Sequence, residues 1–169
     1  NLTFTASSTV GTTSTLDGAL ICVDDGATVI LKQCYINGMS MSNQGISLIY
    51  VKSGGTLLLE NCTFSTNTST NKGSASFSEC IRIENGAQVE VVSCNFETNG
   101  NDIMSNAAAI ENSGSCRITN TTFKDNLAQR GGAIMNNETG ILEIESSTFD
   151  SNTCTSSGYY AMRGGAIFI

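Results

Sequence analysis

The 169-residue chain contains no proline, no histidine and no tryptophan, and only 14% of its residues are charged. Without imidazole there is no Ser-His-Asp or Cys-His nucleophile, no His-ligated metal and no histidine titration near neutrality. The missing proline suits a chain in which nearly every backbone N–H enters an interstrand ladder, because proline removes a donor wherever it falls. Eight Lys and Arg stand against fifteen Asp and Glu, with no basic cluster. That balance excludes the electrostatic footprint of a nucleic-acid binder or a ligand for anionic membranes. No apolar run approaches the roughly 20 residues of a membrane span, so no membrane insertion is expected in this segment.

Asn, Ser and Thr make up about a third of the chain, so its polarity is amide and hydroxyl rather than charge. Seven cysteines are many for this length, and odd in number. They read as secretion with some disulfides, the alternative being buried free thiols, since cysteine is among the most buried residue types.

The chain repeats itself. Phe64–Asn67, Phe96–Asn99, Phe123–Asn126 and Phe149–Asn152 share one Phe-x-x-Asn pattern, and Ile36 holds the Phe place in an earlier unit. Steps between these anchors are 28, 32, 27 and 26 residues. Seven and five residues before each anchor lie apolar pairs: Val29/Leu31, Leu57/Leu59, Val89/Val91, Cys116/Ile118 and Leu142/Ile144. Two before come Cys34, Cys62, Cys94, Thr121 and Ser147, and a glycine opens each unit: Gly26, Gly54, Gly86, Gly114 and Gly140. Further upstream lies another apolar strand, as in Leu48–Val51 and Cys80–Ile83.

Residues two apart on a strand face the same way, so positions minus seven and minus five point inward together. Position minus two and the anchor also share a face, but with the opposite parity. One extra residue must therefore turn a corner between the two segments. Three short inward-facing strands per unit describe one coil of a parallel β-helix, and no stretch carries a helical period. The expected fold is all-β: a right-handed, single-stranded parallel β-helix of about six coils of roughly 26–32 residues, occupying residues 1–169 as one segment of a longer repeat protein or filament.

The columns suggest roles. Phe64, Phe96, Phe123 and Phe149, with Asn67, Asn99, Asn126 and Asn152, form a structural ladder in which each Asn amide meets the next one coil away. Cys34, Cys62 and Cys94 form an inward thiol column, acting as small apolar fillers or bridging adjacent coils by a disulfide. Outward, Lys32–Glu60 and Glu90–Arg117–Glu143 stack with alternating sign, a surface pattern. Ile30 and Leu58 stack outward as a small apolar patch, a candidate lateral contact with another chain. N-glycosylation sequons begin at Asn1, Asn61, Asn67, Asn120 and Asn137, with Asn67 expected to be unmodified if it points inward. Neither a metal-ligating spacing nor a cofactor motif is present.

Gly131-Gly132-Ala133-Ile134 and Gly164-Gly165-Ala166-Ile167, alternating with the four Phe-x-x-Asn tetrads, resemble the repeats of chlamydial polymorphic membrane proteins. The resemblance covers about residues 46–169 and is most specific in the last two coils. It implies a right-handed parallel β-helix at a cell surface, in adhesion or as a stalk, and it transfers no catalytic residues.

The expected function is a non-enzymatic extracellular scaffold, a β-helical section of a surface stalk, adhesin or filament, joined end to end with itself or continued by further repeats. Glycans are candidate partners, through an outward column of Thr63, Asn95, Thr122 and Thr148. The alternative is a polysaccharide-binding or polysaccharide-cleaving β-helix. Its nearest carboxylate cluster is Asp24-Asp25 beside Lys52 and Glu84, which turn-flanking charges suffice to explain.

Overall fold

A computed structural model describes residues 2–5, 9–10, 19–41, 47–69, 79–101, 106–155 and 164–169. Among these, every strand pairing is parallel and no helix occurs. Three long sheets run the length of the solenoid. Sheet A stacks Ile21–Val23, Ile49–Val51, Ile81–Ile83, Ile110–Asn112, Ile134–Asn136 and Ile167–Phe168. Sheet B stacks Thr28–Lys32, Thr56–Glu60, Gln88–Val92, Ser115–Thr119 and Ile141–Glu145. Sheet C stacks Leu2–Thr5, Cys34–Asn37, Thr63–Ser65, Asn95–Glu97, Thr122–Lys124 and Thr148–Asp150. Two-residue strands such as Ser40–Met41 and Thr68–Ser69 form a minor fourth side.

The predicted corner residue exists in every coil. Gln33, Asn61, Ser93, Asn120 and Ser146 adopt φ of 52°, 54°, 53°, 51° and 49° between sheets B and C. Left-handed backbone costs a non-glycine residue roughly 1–2 kcal/mol, least for Asn and Asp. The turn still keeps its interstrand bonding, as Gln33 N–H donates to Glu60 O at 2.9 Å and Asn61 N–H to Val92 O at 3.0 Å. A second left-handed corner follows sheet C at Gly38, Thr66, Thr98, Asp125 and Ser151. Between sheets A and B the turn is tighter: Gly54 has φ 79°, and a Cβ there would collide with the Asp25 carboxylate of the coil before.

The alternating pattern places Leu57, Leu59, Val91, Ile118, Ile49, Val51, Ile81 and Ile83 inside, all essentially inaccessible. Each contributes on the order of 1.5–3 kcal/mol of transfer free energy over an exposed position. The sheets are held in one register by this core, because a one-residue slip would turn every apolar side chain to water.

Candidate functional site

The ladder residues are where the repeat places them. Phe64, Phe96, Phe123 and Phe149 stack with ring centroids 4.7, 5.0 and 4.7 Å apart and planes within 6°. These distances lie within the range of stacked aromatic pairs and match strands spaced one ladder step apart. Beside them Asn99 and Asn126 use the full bonding capacity of their side chains. Asn99 Nδ2 donates to Asn126 Oδ1 at 3.1 Å and to Phe64 O at 2.9 Å. Its Oδ1 accepts from Asn67 Nδ2 at 2.9 Å and from the Asn67 backbone N–H at 3.2 Å. From Asn67 to Asn126 the column is a buried internal spine, and Asn152 ends it half-buried.

None of the seven cysteines is in a disulfide, so neither the expected disulfides nor an adjacent-coil bridge is formed. Cys34, Cys62 and Cys94 pack in the hydrophobic core, as small apolar fillers do, and they also take part in hydrogen bonds. Cys94 Sγ donates to Val92 O at 3.3 Å and accepts the Cys62 N–H at 3.4 Å. Thr121 repeats the arrangement: its hydroxyl donates to Thr119 O at 3.0 Å and accepts the Cys94 N–H at 3.3 Å. Ser147 continues it, donating to Glu145 O and accepting the Thr121 N–H. The position selects a small S–H or O–H that closes the hydrogen bonds opened by the corner. Hydrogen bonding to Cys62 and burial push the Cys94 thiol up, and burial pushes Cys116 up to about 12.

The surface columns are equally legible. Lys32 meets Glu60 at 2.6 Å, and Arg117 meets Glu143 at 3.9 Å and Glu145 at 3.4 Å, all exposed and worth at most about 1 kcal/mol each. Ile30 is 55% exposed and lies with the half-buried Leu58 in a shallow groove of about 400 Å³ that also holds Glu90 and Arg117. Asn61 and Asn120 are exposed on the left-handed corner, Asn67 is fully buried in the ladder, and Asn1 lies outside the described residues. Asn137 is half-buried, with Nδ2 donating to Glu111 Oε1 at 3.2 Å and Ser113 Oγ at 2.9 Å.

The candidate carboxylate cluster does not converge on a cavity. Asp24 pairs with Lys52 at 2.8 Å, while Glu84 accepts from Tyr50 Oη and from the Ser53 N–H. Burial and the Glu84 contact push the Tyr50 phenol up to about 12. Arg82 lies 5.6 Å from the Tyr50 ring centroid, a cation–π distance.

Sequence reasoning missed three features of sheet A and its ends. Its outward column, Cys22–Tyr50–Arg82–Glu111–Met135–Phe168, is mostly covered rather than wet, with Tyr50, Glu111 and Met135 buried. A second asparagine pair, Asn112 Nδ2 to Asn136 Oδ1 at 2.7 Å, lies inside the A–B turn. Near the start of the same sheet sits Glu79, fully buried, its Oε1 bonded to Ser47 Oγ at 2.5 Å. The only sequence signal for these was a carboxylate placed within or beside an apolar strand.

The stacked parallel coils define a β-helical solenoid. Residues 3–169 match the family described as the right handed beta helix region, and the chain belongs to that family. No curated protein matches the chain, and no solved structure matches it either.

Proposed function

We propose that this chain is a non-enzymatic structural scaffold, a β-helical section of an extracellular or cell-surface stalk, adhesin or filament. The observation that carries this reading is the asparagine spine. Asn67, Asn99, Asn126 and Asn152 bond from coil to coil, and the amides of Asn99 and Asn126 are fully used, so these polar groups stiffen the solenoid. The spine has the same register at each step. A further coil, from the same chain or a second copy, would add by the same contacts, which supports end-to-end assembly. The likeness of its GGAI and Phe-x-x-Asn motifs to chlamydial surface-protein repeats points to the same place. Three grooves lined by described residues each hold a single carboxylate, Glu138, Glu90 or Glu84, where glycoside cleavage by paired acids needs two.

Electron microscopy of the protein purified from its natural source tests this. Rods much longer than about 30 Å, the height of six coils at the interstrand spacing, are expected. Compact particles that cleave a polysaccharide would overturn it. Polysaccharide binding without cleavage is the second reading, favoured by the in-register outward column of Thr63, Asn95, Thr122 and Thr148 on sheet C.

A further inference from the structure

Two buried carboxylates near sheet A are left incompletely bonded. Glu79 is inaccessible and Glu111 is 5% exposed, and the Oε2 atom of each has no hydrogen-bond partner among the described residues. Glu79 Oε1 meets Ser47 Oγ on the preceding coil, and Glu111 Oε1 accepts from Asn106 Nδ2 at 3.1 Å and from Asn137 Nδ2 at 3.2 Å. Ser47, Glu79 and Asn106 each lie just before a sheet A strand, on three successive coils. Arg82 lies in register beside Glu111 and brings one positive charge to two buried carboxylates, so the second carboxylate is costly as an anion. Among the described residues no group of three or more His, Cys, Asp or Glu is able to hold a metal ion.

We propose that Glu79 and Glu111 form a one-proton site, in which a proton held on Glu79 pins the starts of consecutive sheet A strands and its loss loosens them. Ionisation breaks the Glu79 O–H bond and passes the proton to water or hydroxide, leaving a buried carboxylate whose Oε2 has no hydrogen-bond partner among the described residues. Burial is the largest cause holding Glu79 above the usual carboxylate range, up to about 8, and repulsion from Glu111 adds to it. The Ser47 hydrogen bond and the Arg82 guanidinium oppose the shift. The adjacent Cys80 thiol is itself pushed up by burial and by the Glu79 field. Glu84 and Lys52 act on Tyr50 along the same face.

A carboxyl that is neutral when folded but ionised when exposed weakens the closed state as pH rises from the ordinary glutamate range to its folded value. Amide hydrogen exchange at residues 47–51, 79–83 and 107–112, corrected for intrinsic rates, reads this directly. The opening constant of these amides is expected to rise up to about tenfold per pH unit across that window and then level off. Glu79→Gln, which keeps the shape, should remove the slope while the β-sheet circular dichroism is retained. Glu111→Gln should end the slope at a lower pH, because it removes the repulsion, and it serves if the first variant fails to fold. A slope that persists in Glu79→Gln, or is absent from the parent chain, overturns the proposal. So does a slope abolished by added calcium, which would make the pair a cation site.

Discussion

Asn99 Oδ1 accepts two hydrogen bonds from the single residue Asn67, one from its side-chain amide at 2.9 Å and one from its backbone N–H at 3.2 Å. One atom thus bonds both the side chain and the main chain of the coil before it. The solenoid is fastened at this point by geometry that no other side chain reproduces, since Asp lacks the donor and Gln reaches too far.

Replacing Asn99 by Ala should strand the Asn67 amide groups and the Phe64 carbonyl in a water-free site. The expected loss is about 3 kcal/mol or more, with each orphaned group costing on the order of 1–3 kcal/mol. Asn152→Ala should cost less, because Asn152 is only half-buried. Urea denaturation of the two variants under identical conditions measures the difference.

Phe96 has a ring stacked on either side, whereas Phe149 is only half-buried. Phe96→Ala is expected to destabilise by roughly 3–5 kcal/mol and Phe149→Ala by less, following the depth of the cavity each leaves. Thermal melts rank them.

The thiol column separates two physical readings by a substitution pair. If Cys94 works as a donor and acceptor at the corner, Cys94→Ser should be tolerated within about 1 kcal/mol, while Cys94→Ala should cost roughly 1–3 kcal/mol by leaving the Cys62 N–H unpaired. Equal losses would return the column to apolar filling. In the native chain a thiol reagent should modify the half-buried Cys22 and Cys154 before the five buried cysteines.

Tyr50 carries an alkaline prediction. Its folded pKa of about 12 exceeds the ordinary 10.0, so its contribution to stability is complete below pH 10 and is lost as pH rises from there through 12. The ultraviolet phenolate signal of Tyr50 should be delayed accordingly. In Glu84→Gln it should move to lower pH, because the carboxylate that accepts the phenol proton is gone.

Sequon use should follow burial. In a secretory host, peptide mapping is expected to find glycan on the exposed corner residues Asn61 and Asn120 and none on Asn67, whose amide is committed inside the spine. Glycan on Asn67 would require the ladder to be open.

Much of this architecture is local and therefore written in the chain. Alternation with period two fixes which side chains face inward, and a parity change forces a corner residue. Columns such as Phe64–Phe96–Phe123 follow once coils of near-equal length are superposed. The same arithmetic located the Asn spine, the exposed Ile30 and the corner sequons.

Other relationships were decided only by the coils closing on one another. Cys94 acts as a hydrogen-bonding corner residue because the left-handed turn leaves particular N–H and C=O groups pointing at it, and spacing does not reveal that. The pairing of Ser47 with Glu79 spans 32 residues between two coils, and Arg82 and Glu111 meet in register only when the next coil is laid down. Repeat periodicity carries no information there, because Ser47 and Glu79 lie outside the repeated columns. The sequence by itself determined the rod and its inner columns; the tertiary structure decided which buried polar groups meet, since that depends on how chain segments outside the repeat return to it.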